Sequence, residues 1–228
     1  MKYTEITFKT PEENLACDEA WLDLCEDGGG CEILRFWEPN QYFVVLGYSN
    51  KVKEEIDLAA CQKNKISILR RASGGGTVLQ GPGCLNFSLI LDTQNGRPIK
   101  NLTETNRYVM ERNRKSLESI SKAEIKIEGI TDLAVNQLKF SGNAQRRKKR
   151  FLLFHGSFLL EFDLSLIKKY LLIPKKQPAY RKNRNHSDFL MNFPVPAEKI
   201  KAALKKMWEA NKTINIIPND RINQLVSE

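Results

Sequence analysis

With 228 residues, 41% hydrophobic and 28% charged, the chain has the make-up of an ordinary soluble globular protein and can bury a substantial core in one large domain. Glu5, Glu12, Glu13, Asp18 and Glu19 interrupt the first thirty positions, which argues against a signal peptide, and no apolar run is long enough to span a bilayer, so a cytoplasmic location is expected. A net charge of +9 points to nucleic acid, a membrane surface or an acidic protein as partner, but neither basic run belongs to a recognisable nucleic-acid module.

Tyr3 to Phe8 alternate weakly and predict an opening strand. Thr10 then caps a helix, with Pro11 at its first position and Glu13 closing a capping box. Cys17, Ala20, Trp21 and Leu24 form the helix's buried stripe, and Gly28, Gly29 and Gly30 end it. Strands over Glu32 to Trp37 and Tyr42 to Leu46 follow as a hairpin about Pro39-Asn40, then a short helix over Glu54 to Lys63 with Ile56, Ala59 and Ala60 inward.

Ile66 to Leu69 is a strand entering a glycine-rich turn, and Leu85 to Leu91 a strand leaving it. The turn opens with Arg70 and Arg71 and holds Ser73, Gly74, Gly75, Gly76, Thr77, Val78 and Leu79. Consecutive glycines reach backbone angles closed to other residues, so their N–H groups can converge on an anion, and arginine grips phosphate or carboxylate in a planar fork. The segment is an anion-binding turn or, more plainly, a tight connection with surface arginines. It is neither a P-loop nor a dinucleotide fingerprint.

Asp92 to Lys100 is a loop, Thr103 to Ile120 a long helix buried through Val109, Met110, Leu117 and Ile120, and Glu124 to Ile127 a strand. Asp132 to Gly142 forms two strands around an Asn136-Gln137 turn, with Lys139 emerging from the second. His155 sits between the apolar strand Phe151 to Phe154 and Gly156-Ser157. Asp163 caps a helix with Leu164, Ile167 and Leu171 inward, and Gln177 to Leu190 is too polar for a core element. Ile200, Ala203, Leu204, Met207 and Trp208 give the strongest helical stripe, after which a few residues end the chain. The basic runs at Arg146 to Arg150 and Lys175 to Arg184 are by default solvated faces. The five cysteines lack metal-ligand spacing and are expected as buried, reduced thiols.

Arg71 to Leu79, taken with Asp132 to Asn136, Lys139 to Ala144 and His155-Gly156-Ser157, resembles the lipoate-protein ligase A family, whose catalytic fold is shared with biotin protein ligases and octanoyltransferases. The resemblance implies an α+β domain over residues 1–228, a mixed or antiparallel sheet flanked by helices, without the C-terminal accessory domain of longer ligases. It implies ATP-dependent attachment of lipoate or octanoate to an acceptor lysine through an acyl-adenylate. By the same resemblance Lys139 is expected to be the catalytic lysine, and Asp132 its acidic partner or a Mg²⁺ ligand. The substrate and ATP contacts it implies fall on Arg70, Arg71, Ser73 to Leu79, Asn86, Ser141, Gly142, Ala144, His155, Gly156 and Ser157, with Trp37 and Val45 in the acyl pocket. The partner implied is an acidic lipoyl domain or a glycine-cleavage H-type protein, with an accessory subunit as an option and neither nucleic acid nor membrane. Two alternatives stay open: ATP-independent transfer between carriers, and a non-catalytic module binding lipoyl-adenylate or nucleic acid. No cysteine follows Cys84, which disfavours a thioester route; Gln80-Gly81 stands where many ligases have His-Asp.

Overall fold

The computed structural model describes residues 1–28, 31–214 and 216–228. Strand β1 (Lys2–Thr4) stops short of Phe8 because side chains take the backbone groups that a longer strand would pair. The Ile6 carbonyl accepts from Arg35, and both backbone groups of Phe8 bond the Asn14 amide. Thr10 and Glu13 form the expected capping box on α1 (Pro11–Glu26). Gly29 and Gly30, expected to end that helix, lie outside the described residues.

Strands β2 (Ile33–Trp37) and β3 (Phe43–Leu46) do not form the expected hairpin. Both are buried throughout, and each is enclosed in a different sheet. The single helix expected over Glu54 to Lys63 is two, α2 (Val52–Glu55) and α3 (Leu58–Lys63), because Asp57 caps a new start and Ile56 turns into the core. Cys61, rather than Ala59, is the buried residue of α3. Strands β4 (Ser67–Arg70) and β5 (Val78–Gln80) flank the glycine turn and sandwich β3 in a three-stranded sheet, parallel on one side and antiparallel on the other.

The remaining elements are β6 (Cys84–Asp92), α4 (Leu102–Glu118), β7 (Lys126–Glu128), β8 (Asp132–Val135), β9 (Leu138–Arg147), β10 (Phe151–Leu159), α5 (Ile167–Tyr170), α6 (His186–Phe189), α7 (Ala197–Met207), β11 (Lys212–Thr213) and α8 (Asn219–Ser227). The last two were not foreseen. Helix α8 buries Ile222 against α1, and Arg221 pairs with Asp23 at 2.7 Å. The large sheet has the order β11-β1-β2-β6-β10-β9-β8-β7, with β11, β1 and β2 parallel and the other neighbours antiparallel. This is the mixed α+β architecture expected. Among the described residues no helix is long and apolar enough to cross a membrane.

Period-two alternation gives the sheet two different faces. Leu85, Phe87, Leu89 and Leu91 of β6 join Phe154 and Phe158 of β10 under α4 and α7, which contribute Val109, Met110, Leu117, Ile200 and Leu204. On the opposite face Ile90 and Leu153 pack under α1, while Cys84 and Leu159 pack against the small sheet. Between these two apolar clusters the same strands carry Asn86, Ser88, His155 and Ser157. That polar interval is where the fold leaves a cavity.

Candidate functional site

The cavity measures about 910 Å³ and is enclosed by α1, the small sheet and the segment after α5. Its floor is a transverse row across five strands. Trp37 faces Asn86, Asn86 faces Ser157, Ser157 faces Gly142, and Gly142 faces Asp132. Lys139 joins this row through a register shift. Leu133 opposes Ser141, but Ala134 opposes Lys139, so β9 carries an extra residue between them. Lys139 and Gly142 are three apart and would point to opposite faces of a regular strand; the bulge brings them together. A Cβ on Gly142 would sit 2.9 Å from Lys139 Nζ, and Nζ lies 2.7 Å from Asp132 Oδ1. Tyr180 donates to Asp132 Oδ2 at 2.7 Å. Burial and then the neighbouring carboxylate push the Tyr180 hydroxyl far up, so it stays protonated and able to donate.

The glycine turn lies beside this pair. A Cβ on Gly75 would come 3.6 Å from Cβ of Ala144, the next residue after Gly142 on that side of β9. Gly75 needs its φ of +91°, and Arg71 Nη2 would be only 3.0 Å from a Cβ there. Arg71 is wrapped by the turn: it donates to the Gly74 and Gly76 carbonyls at 2.6 and 2.8 Å and to Ser73 Oγ at 3.1 Å. Burial lowers its pKa to about 10, which leaves it charged at neutral pH. Gly75, Gly76, Thr77, Val78 and Leu79 line the cavity with Arg71. Arg70 does not: its guanidinium donates to the carbonyls of Gly47, Tyr48 and Asn50, tying down the loop after β3. Neither Ser73, which is buried, nor Gly74, which is exposed, lines the cavity.

Ser73 leads through His155 into a buried polar cluster whose other members, Asp18, Arg35 and Ser88, sequence reasoning missed. Its Oγ is 2.6 Å from His155 Nε2, and His155 Nδ1 is 3.6 Å from Asp18 Oδ2. The carboxylate favours the proton on Nδ1, so Nε2 accepts from Ser73. Ser88 donates to Asp18 Oδ2 at 2.5 Å, and Arg35 Nη1 pairs with Asp18 Oδ1 at 2.6 Å. Arg35 also donates to the Asn14 carbonyl and to Asn14 Oδ1. Burial alone would raise the Asp18 pKa, but Arg35, His155 and Ser88 together hold it below the usual carboxylate range. The signal available in sequence was the alternation of β6, where Asn86 and Ser88 stand between Leu85, Phe87 and Leu89.

Trp37 and Val45 both line the cavity, although from different sheets rather than from one hairpin. Ser141, Gly142, Ala144, Gly156 and Ser157 also contribute to the wall. The polar segment before α7 is not simply a loop. Arg181, His186 and Phe189 are buried, and Met191 N donates to the Lys139 carbonyl at 2.9 Å, closing the segment over β9. His186 lines the cavity, with its pKa lowered by burial and by Arg181, which donates to its Nδ1 at 3.3 Å. The basic run at the β9–β10 turn is largely engaged within the molecule: Lys148 pairs with Asp23, Arg150 with Asp92, and Arg147 bonds Thr105. Lys175 and Lys176 remain exposed on the cavity wall.

For the Mg²⁺ that the resemblance implies, the described residues contain no group of three or more His, Cys, Asp or Glu that could form a cage. Asp132 offers a single carboxylate, whose two oxygens meet Lys139 and Tyr180. This fits an ion that takes its remaining ligands from water and phosphate.

Fold and cavity together define an α+β domain with a cavity beside an arginine-braced glycine turn. The chain belongs to the lipoyl protein ligase A/B catalytic domain family, whose model matches residues 10–217. A probable lipoate-protein ligase A of Mycoplasma genitalium is 33% identical over 170 residues, covering 74% of this chain and 48% of that protein. An octanoyltransferase LipM of Clostridioides difficile is 32% identical over 188 residues, covering 74% and 68%. The chain spans about half the length of the Mycoplasma genitalium ligase and of a probable lipoate-protein ligase A of Mycoplasma pneumoniae. A bipartite lipoate protein ligase of Thermoplasma acidophilum, described with its E2 lipoyl domain, has the same fold with a TM-score of 0.81 and 22% identity, over 100% of this chain and 92% of that one. Lipoate-protein ligase A bound with ATP gives 0.80 and 24%, over 100% and 94%.

Proposed function

We propose that this domain joins lipoate or octanoate to AMP and passes the acyl group to a lysine of an acidic lipoyl domain or H-type protein. The observation that carries the reading is the adjacency of Lys139 and the Arg71-braced turn on one cavity wall, bridged by Gly142 and Ala144 of β9. A carboxylate must meet an α-phosphate here, and their repulsion is offset by Lys139, Arg71 and main-chain amides of the turn. A carboxylate oxygen attacks the α-phosphorus and pyrophosphate leaves. The acceptor amine then attacks the acyl carbon, AMP departs with the attacking oxygen, and the amine proton passes to solvent. Asp132 holds Lys139 between turnovers and would hold Mg²⁺ arriving with the nucleotide, which supplies further charge neutralisation. Lys175 and Lys176 at the wall suit an acidic acceptor. The ATP-bound relative of the same fold supports a nucleotide in this cleft.

Relatives of both kinds, ligase and octanoyltransferase, resemble the chain, and they differ in whether a thiolate carries the acyl group. Among the five cysteines only Cys84 lines the cavity, and burial pushes its pKa up to about 12. Such a thiol is protonated at neutral pH and serves as core packing. Cys84→Ala is therefore expected to keep acceptor acylation from lipoate plus MgATP within about twofold, read by intact mass of the acceptor. Acylation from an acylated carrier without ATP, abolished in Cys84→Ala, would establish the transferase instead.

A further inference from the structure

The loop that follows β3, residues 47–50, lies outside the cavity and yet meets the glycine turn at every second residue. Tyr48 N donates to the Ser73 carbonyl at 2.8 Å, and Asn50 Nδ2 donates to Thr77 Oγ1 at 3.2 Å. Between them Gly47 lies against Gly75. A Cβ on Gly47 would stand 2.2 Å from the Gly75 carbonyl oxygen and 2.8 Å from Asn50 Oδ1. Gly47 does not take a positive φ, so it is this contact with the turn, not backbone conformation, that demands a glycine.

The loop is itself held by Arg70, the arginine of the pair that stays out of the cavity. Its Nη1 donates to the carbonyls of Gly47, Tyr48 and Asn50 at 2.8, 2.9 and 2.9 Å, and Asn50 N donates to the Gly47 carbonyl at 3.0 Å. One nitrogen gathering three carbonyls makes a cap for the loop rather than a fork aimed at an anion. The backbone of the turn is sorted as a result. The loop takes the Ser73 carbonyl and Arg71 takes those of Gly74 and Gly76, while among the described residues no N–H of residues 74–77 donates a hydrogen bond within the protein. Carbonyls drawn to partners and amides left over is the arrangement in which a peptide segment accepts an anion.

We propose that residues 47–50 hold the glycine turn in the shape that receives a nucleotide phosphate, with Gly47, Asn50 and Arg70 as positioning residues that act through the turn. The proposal rests on the acyl-activation reading only in bringing a nucleotide to this turn. A turn displaced by about an ångström loses aligned N–H···O bonds, and one such bond to a charged oxygen is worth about tenfold in affinity.

Calorimetric titration of the intact protein with MgATP tests it, because the fitted affinity, unlike a rate, does not fall when part of the sample is unfolded. Gly47→Ala puts a methyl group against the Gly75 carbonyl and is expected to weaken MgATP binding about tenfold. Arg70→Ala releases the loop without adding an atom; it should weaken binding about threefold to tenfold, and it serves where Gly47→Ala fails to fold. Arg70→Lys again offers one nitrogen with several donors to the three carbonyls, and should keep the affinity within about twofold of native. Native affinity in the folded Gly47→Ala and Arg70→Ala variants overturns the proposal and leaves acyl activation standing. So does a loss in Arg70→Lys equal to that in Arg70→Ala, which would mean that the guanidinium meets the nucleotide itself. No binding of MgATP by the native protein overturns both.

Discussion

Replacing Lys139 by alanine is expected to lower acyl-adenylate formation about a hundred- to a thousandfold, the loss typical of removing one donor aimed at developing charge. The ammonium stands over Gly142, beside the glycine turn, where the attacking carboxylate and the α-phosphate converge in the proposed reaction. Arg71 still adds positive charge but does not replace the ammonium as a donor, because its Nη2 is held by the carbonyls of Gly74 and Gly76. The fold should be nearly indifferent. The Lys139 side chain is 25% exposed, and a partly solvated ion pair contributes little stability, so the thermal midpoint should stay within about 3 °C. Pyrophosphate exchange into ATP in the presence of lipoate reads the first effect and calorimetry the second. Full activity in Lys139→Ala would remove the lysine from the site.

The opposite pattern is expected at Asp18, where stability falls first. Asp18→Asn leaves the Arg35 guanidinium buried and uncompensated, which costs about 3–5 kcal/mol. Asn14 and the Ile6 carbonyl can still bond Arg35, yet neither carries a negative charge. The effect has a defined pH dependence. Because the folded-state pKa of Asp18 lies below its ordinary value of 3.8, its contribution is fully present above that value and is lost as pH falls through the folded pKa. The gap in unfolding free energy between the native protein and Asp18→Asn, measured in urea, should therefore be flat from pH 5 to 8 and narrow below about pH 4. A gap that widened on acidification would contradict the ion-pair account.

The parts of this molecule that were legible in its sequence are those decided over a few residues. Thr10, Pro11 and Glu13 close a capping box within one helical turn, and Asn136 and Gln137, both at positive φ, make the tight turn that joins β8 to β9. The alternation in β6 likewise displays one wholly apolar face and a second on which Asn86 and Ser88 interrupt the apolar Cys84 and Ile90. What escaped was decided by distant partners. Nothing near Phe43 to Leu46 says that this strand joins β4 and β5 rather than β2, since buried strands of this kind suit either sheet. Asp18 meets Ser88 across 70 positions, and the bulge that turns Lys139 toward Asp132 depends on how two strands register. The segment before α7 looked too polar for the interior because its arginines are satisfied by backbone carbonyls and by the Phe189 ring, partners that composition does not display.

The most direct measurement of the central claim follows an oxygen atom. With lipoate labelled by ¹⁸O in both carboxyl positions, attack of a carboxylate oxygen on the α-phosphorus and later release of AMP by the acceptor lysine must carry one labelled oxygen into AMP and leave the other in the amide. Mass spectrometry of a reaction containing MgATP and an acidic lipoyl domain should find AMP heavier by that single oxygen. Acylated acceptor accompanied by unlabelled AMP, or formed with no nucleotide consumed, would mean that carboxylate and phosphate never join in this cavity.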